Sequence, residues 1–329
     1  MAPTIGIDIG GSSVRAVARD ESGTIVDRYH TTGTRQGGSQ VAAAAVDAYR
    51  ALEGPGCVGV GIGIPGQVDP STGRVSHAIN LGIDRPYDLG AEVAEEVGKS
   101  VIVENDVRVA ALGARESLAL GGTELESLAV FSIGTGIGAG VVVNGSLLRG
   151  AQGMAGEIGH VTVDQSGPVC RCGQRGCLEA VAAGPAIGRA WPKGDADAAA
   201  AALFAAAADG DPAAQRVADR VTGHIVTALV WLAAAYDTEV IVLAGGVSSV
   251  GIDFLSAIYD QIARRAGTSE IAARRLRPEQ VMLADHLDPP GPRGAALMAA
   301  MHNLQGRVSP AGKTKGSSKP MNKQLGGAV

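Results

Sequence analysis

The sequence predicts an α/β fold made twice over, as two lobes. Three observations carry that expectation. Runs rich in β-branched residues alternate with helical ones along the chain. The order strand, glycine-rich turn, strand occurs at residues 4–18 and again at 128–143. Aromatics make up only 3% of the 329 residues, while glycine and alanine abound, so Val, Ile, Leu and Ala must form the core. Glycine there permits tight turns and close approach of backbone to a ligand.

Thr4–Ile9 and Val14–Ala18 read as strands joined by Gly10-Gly11-Ser12-Ser13, with Ile25–Tyr29 a third. Val41–Leu52 is alanine-rich and helical, and Val58–Ile64 and Val101–Glu104 are strands. Asp106–Ser117 reads as a helix capped by Asn105 or Asp106. The pattern then restarts. Leu128–Ile133 leads through Gly134-Thr135-Gly136-Ile137-Gly138 into Ala139–Val143. Asp211-Pro212 starts a long helix, a cap followed by proline in the first turn, and Val217, Val221, Ile225, Leu229 and Leu232 recur at helical spacing. Glu239–Leu243 and Val281–Ala284 are strands, and Gly294–Met301 is the last helix. A repeated half suggests duplication, with the boundary near Gly121-Gly122 and lobes of 1–120 and 121–292. From Gly306 to Val329 the chain is basic and rich in Gly, Ser and Pro, a composition expected to stay disordered.

Net charge is −5 with the signs interspersed, which does not suggest a nucleic-acid surface. Met1-Ala2-Pro3-Thr4 has no basic segment followed by an apolar one, so no secretory signal is expected. The longest apolar run, Ile225 to Tyr236, is too short to span a membrane. A cytoplasmic protein keeps its thiols reduced. Cys57, alone in an apolar run, reads as a buried small hydrophobe.

Three glycine-rich turns follow apolar strands: Asp8 to Ser13, Gly134-Thr135-Gly136, and Gly245-Gly246. Such turns let backbone N–H groups close on a phosphate. Ser12 and Thr135 add hydroxyls, and Asp8 stands where it could hold Mg²⁺ through water. Each turn alone is as well read as an ordinary hairpin; three in corresponding places favour phosphate. Gly61-Ile62-Gly63-Ile64-Pro65-Gly66 imitates a dinucleotide fingerprint, but its glycines lie inside a strand. Gly306 to Thr314 imitates a phosphate-binding loop with one residue too many. Asp106 opens a helix at a strand's end. A carboxylate there can take a proton from an attacking hydroxyl, and equally it can serve only as a helix cap.

His160, Cys170, Cys172 and Cys177 fall within eighteen residues. Thiolate sulphur and imidazole nitrogen suit Zn²⁺ in a closed four-ligand site, so the metal is expected to be structural. One disulfide among the three cysteines would leave an odd thiol. Glu157 and Glu179 flank the set as hydrogen-bond acceptors for hydroxyls or as solvated surface acids.

Together these residues resemble the ROK family of repressors and sugar kinases over about residues 4–302. The resemblance rests on Gly6 to Gly11, Pro65-Gly66-Gln67-Val68-Asp69, Asn80-Leu81, Glu104-Asn105-Asp106, Gly134 to Gly138, the block from Gly150 to Glu179, and Leu243 to Val247, in the family's order. It implies an actin-like ATPase fold, ribonuclease H-like and duplicated, with a central cleft and a last helix, 293–305, returning to the first lobe. It implies ATP-dependent phosphorylation of a hexose, with glucose the leading substrate. By resemblance Asp106 is the general base. Gly66, Asn80, Asn105, Glu157, His160 and Glu179 hold the sugar, and zinc on His160, Cys170, Cys172 and Cys177 braces the loop 157–179. Asp8, Gly10, Gly11, Ser12, Thr135, Gly136, Gly245 and Gly246 cradle Mg-ATP. A homo-oligomer, dimer or tetramer, is implied as well.

The chain departs from the pattern at Gly82-Ile83, where many relatives carry tryptophan, at Arg108, often asparagine, and at Ala114, often glutamate. These departures bear on which sugar is chosen. A kinase for N-acetylglucosamine, N-acetylmannosamine, mannose, fructose or allose is the alternative, and polyphosphate is an alternative donor. A sugar-sensing regulator would need a DNA-binding segment ahead of the first strand, which starts at Thr4.

Overall fold

The computed structural model describes residues 2–34, 36–54, 56–193 and 198–308, with side chains described as far as Leu304. The first half runs β1 (Thr4–Ile9), β2 (Ser13–Arg19), β3 (Ile25–Thr32), α1 (Gly38–Leu52), β4 (Gly59–Ile64), β5 (Gln67–Asp69), β6 (Arg74–Ser76), α2 (Leu89–Val97), β7 (Ser100–Asn105) and α3 (Asp106–Leu120). Its sheet has the order β3-β2-β1-β4-β7, antiparallel across β1–β3 and parallel across β1–β4–β7. Every residue of β4 is buried, as a strand covered on both faces requires. On α1, Val41, Ala45, Ala48 and Leu52 recur at helical spacing and are buried against this sheet. Cys57 is buried with them.

The second half runs β8 (Leu128–Ile133), β9 (Ile137–Val143), β10 (Ser146–Leu147), α4 (Leu178–Ala182), α5 (Gly184–Ala190), α6 (Ala199–Ala208), α7 (Pro212–Tyr236), β11 (Val240–Ala244), α8 (Ile252–Ala266), α9 (Glu270–Arg275) and β12 (Val281–Leu283), followed by α10 (Pro290–Val308). The second sheet has the order β10-β9-β8-β11-β12, again antiparallel on one side of its central strand and parallel on the other. Position by position this repeats the first sheet. The protein thus has the duplicated α/β plan of actin-like ATPases. Residues 148–177, between β10 and α4, fill the place that residues 33–37 occupy in the first half.

α7 is the axis of the second core. Asp211 caps it, its carboxylate accepting from the Ala213 and Ala214 amides at 2.8 and 3.2 Å. Val221, Ile225, Leu229 and Leu232 are buried on it. Among the described residues it is the one helix long and apolar enough to cross a membrane, and half of that window is buried inside the protein.

α10 lies against β1, β4 and α3. Glycines make this possible. A Cβ on Gly6 or Gly61 would stand 1.9 Å from the carbonyl oxygens of Pro292 and Ala295, and one on Gly294 would stand 1.7 Å from that of Val109. The strand-borne glycines of the false dinucleotide pattern therefore serve helix packing. α10 begins four residues before the expected Gly294, because prolines at a helix start forfeit no hydrogen bond. It also continues to Val308, so the expected tail begins later than Gly306; the remainder lies outside the described residues. Arg293 fastens the helix through Glu116 (3.2 Å), which Arg19 also holds, and through the more exposed Asp288 (2.5 Å).

Candidate active site and metal-ligand cluster

The parallel strands bring Asp8 and Asp106 together. Asp8 on β1 pairs with Gly63 on β4, and Gly63 pairs with Glu104 on β7, two residues before Asp106. Gly63 lies between them, and its missing side chain leaves room for Val109, whose Cγ2 would stand 2.5 Å from a Cβ there. A Cβ there would lie 3.6 Å from Asp8 Oδ1 and 3.5 Å from Asp106 Cα. Burial, and then the neighbouring Asp106 charge, push the Asp8 carboxyl up to about 7, with Arg15 opposing. Burial pushes Asp106 up to about 6, and Glu157 adds to it, while the Val107 amide and Arg108 pull the other way. A carboxyl poised near 6 is suited to proton transfer at neutral pH.

The turn after β1 is strapped rather than loose. The Gly10 amide donates to Ser13 O at 2.9 Å, and Thr34 Oγ1 donates to Gly10 O at 2.6 Å. Gly11 and Ser12 are exposed, and a Cβ on Gly11 would sit 3.6 Å from that of Asn80. In the second half the Gly134 amide donates to Gly136 O, and Gly184 N donates to Gly134 O, both at 2.9 Å. Thr135 is exposed. Gly245 has φ +89° and packs against Ile133, with room for no Cβ, while Gly246 opens to space.

Asn105, not Asp106, is the cap of α3. Its Oδ1 accepts from the Val107 and Arg108 amides at 3.1 and 3.2 Å, and its Nδ2 donates to Gly66 O at 3.3 Å. Gly66 itself has φ +101°, and a Cβ there would meet Ser76 O at 2.7 Å. Asp106 Oδ1 accepts from the Val107 amide at 2.9 Å. Asn80 sits in a one-turn helix, Ile79–Leu81, and no hydrogen bond to its side chain is seen among the described residues. Glu157 caps the turn Ile158–His160, and His160 ends it. The site also includes a contact the sequence did not announce. Glu179 Oε2 accepts from the Ile137 amide at 3.0 Å, against the turn that carries Thr135 and Gly136. Sequence reasoning missed this because the pair lies 42 residues apart.

His160, Cys170, Cys172 and Cys177 offer four ligand atoms within 4.8 Å of one another. Cys170 Sγ lies 3.6 Å from His160 Nδ1, and Cys172 Sγ lies 3.5 Å from Cys177 Sγ. Tetrahedral zinc with bonds of about 2.3 Å spaces its sulphurs by about 3.8 Å, so the cluster fits that ion. The sulphurs are too far apart for a disulfide, which needs about 2.05 Å. The Cys170 amide donates to Gln174 O at 2.7 Å, and the Leu178 amide donates to Val161 O at 2.9 Å, which folds the loop back on itself. Burial pushes Cys177 up to about 12, and the Gln174 amide draws Cys172 down to about 7. A dication among these sulphurs would hold them as thiolates. Since Nδ1 faces the sulphurs, Nε2 of His160 is left for a ligand.

The ROK family profile matches residues 4–302. The chain is 35% identical over 277 residues to the glucokinase of Halalkalibacterium halodurans, covering 77% of this chain and 83% of that protein. It is 30% identical over 317 residues to the N-acetylmannosamine kinase of Yersinia pseudotuberculosis, covering 91% and 99%. Among solved structures, a ROK family glucokinase from Streptomyces griseus in complex with glucose and AMPPNP matches with a TM-score of 0.74 at 30% identity, over 91% of this chain and 99% of that one.

Proposed function

This chain belongs to the ROK family, and we propose that it is an ATP-dependent hexokinase that phosphorylates glucose at its 6-hydroxyl. The observation that carries the reading is the half-buried Asp106 at the end of a parallel strand, across Gly63 from Asp8, with its carboxyl raised to about 6. In this reading Asp106 accepts the proton of the attacking hydroxyl. Asn80, Asn105, Glu157, His160 and Glu179 hold the other hydroxyls, with the Gly66 turn beneath them. The turns at Gly10-Gly11-Ser12, Thr135-Gly136 and Gly245-Gly246 receive the phosphates of ATP. Phosphoryl transfer needs positioning and charge neutralisation above all, and Mg²⁺ near Asp8 would neutralise charge on the phosphates. A dication there also relieves the carboxylate pair, because it favours the ionised form of Asp8.

Zinc is the proposed occupant of the cysteine–histidine cluster, and its role is to brace. All four positions go to protein ligands, so it offers no open site for substrate. Held through Nδ1, His160 would turn Nε2 toward the sugar. Residues 1–120 and 121–292 are taken as lobes that close over the substrates and exclude water, which otherwise competes for the phosphoryl group. Each having its own sheet supports this, as does the return of α10. A cytoplasmic setting suits an enzyme that uses ATP and carries reduced thiols. The similarity to an N-acetylmannosamine kinase favours an N-acetylhexosamine as the second reading.

A coupled ADP-release assay over hexoses and N-acetylhexosamines, with ATP and polyphosphate as donors, tests the proposal. Glucose with ATP is expected to give the highest kcat/KM. Higher kcat/KM with an N-acetylhexosamine would transfer the assignment to that sugar, and no turnover with any sugar would refute the kinase reading.

A further inference from the structure

Glu104 and Arg108 are not among the residues assigned to hold sugar or ATP, yet they are 0% and 2% exposed. Glu104 is held from three sides. Its Oε1 accepts from Arg108 Nη1 at 3.2 Å and from the Asn105 amide at 3.0 Å, and its Oε2 accepts from Arg149 Nε at 2.5 Å. The rest of the Arg108 guanidinium faces the segment from Arg149 to Glu157. Nε and Nη2 donate to Ala155 O at 3.3 and 3.2 Å, and Nη2 also donates to Gly153 O. On the far side the same segment is pinned to β9. The Ala139 amide donates to Gly156 O at 2.8 Å, and a Cβ on Gly156 would stand 1.8 Å from Ala139 O. Glu157 follows directly.

A buried arginine that spends its fork on main-chain carbonyls is fixing a loop, because each carbonyl would otherwise have to find another donor. Arg108 lies on the first turn of α3, two residues after Asp106. One rigid group therefore joins the helix that bears the proposed base to the loop that bears Glu157. Its charge is compensated by Glu104, so it can stay buried without seeking solvent. A lysine could not serve Glu104 and both carbonyls at once, since it lacks the planar fork.

We propose that Arg108 is a positioning residue that sets Glu157 against Asp106 and thereby determines affinity for the sugar. The proposal rests on the assignment of Asp106 and Glu157 to the sugar site. It is tested with Arg108→Asn and Arg108→Lys, each checked for its melting temperature and metal content. The expected result is a glucose KM raised about tenfold or more, an ATP KM within about twofold of the parent, and kcat lowered less than the glucose KM is raised. Lysine is expected to restore little of the glucose KM. Hydrogen exchange of the amides of residues 150–157, measured without substrates, is expected to speed up in both variants while amides in β8 and β11 keep their rates. Unchanged exchange in 150–157 would overturn the latch, whatever the enzyme's activity. Equal rises in both KM values would overturn the sugar-specific role and point to general loosening. Should the parent phosphorylate no sugar, the function assigned above fails by itself, and the exchange measurement still decides whether Arg108 holds the loop. Should Arg108→Asn not fold, Arg108→Lys carries the same two readouts.

Discussion

Replacing Asp106 by asparagine separates what the carboxylate does from what its burial costs. In the native state its pKa is raised from 3.8 to about 6. The folded protein therefore binds the proton more tightly than the unfolded chain, and stability falls as pH rises from about 4 to about 6. Above that range the full penalty stands. Two units correspond to about 3 kcal/mol, an upper value because the carboxyl still meets the water of the cleft. Asparagine cannot ionise, and its Oδ1 can still accept from the Val107 amide now 2.9 Å from the carboxylate. The Asp106→Asn variant is thus expected to be more stable than the parent by about 1–3 kcal/mol at pH 8, with the difference closing toward pH 4. Turnover is expected to fall by about 10² or more, the scale for losing a general base. Urea unfolding at several pH values, beside the coupled kinase assay, reads both quantities. A variant less stable than the parent at pH 8 would refute the buried-charge argument, and turnover within tenfold of the parent would refute the role of base.

Two further outcomes are expected. Removing the metal with a strong chelator, or Cys170→Ser, should weaken glucose binding and lower the melting temperature by more than about 5 °C together; metal analysis of active enzyme finding no zinc would sink the bracing role. Gly294→Ala should destabilise the fold by about 1–3 kcal/mol in a denaturant titration, since the new methyl would stand 1.7 Å from Val109 O and force α10 off α3; an unchanged midpoint would show that the contact can relax.

Some of the architecture was legible because the signals are local. The strand Leu128–Ile133 was bounded as the structure has it, and Asp211-Pro212 marked the start of α7. The metal-ligand quartet was readable from residue type and spacing, and its four atoms do converge. α8 was legible and went unread: Phe254, Ile258 and Ile262 recur every four residues and are buried. The short α2 and the β5–β6 hairpin offered too few residues for a period to show. Gly59 and Gly61 of β4 were placed inside a strand but given no purpose, because the helix that needs their space comes more than two hundred residues later.

The glycine turns at Asp8 to Ser13, Gly134 to Gly136 and Gly245-Gly246 that suggest a phosphate site, the candidate base Asp106 and the cluster from His160 to Cys177 were readable in the sequence alone, since each depends on residue types within a short stretch. Which groups stand opposite one another was decided only by the tertiary structure. It set Asp8 and Asp106 on either side of Gly63, turned Glu179 toward the Ile137 amide, and placed the Arg108 guanidinium on the carbonyls of Gly153 and Ala155. The physical reason is distance along the chain. Electrostatic and hydrogen-bond partners act over a few ångströms, and only parallel strand pairing and the return of α10 bring such remote residues that close.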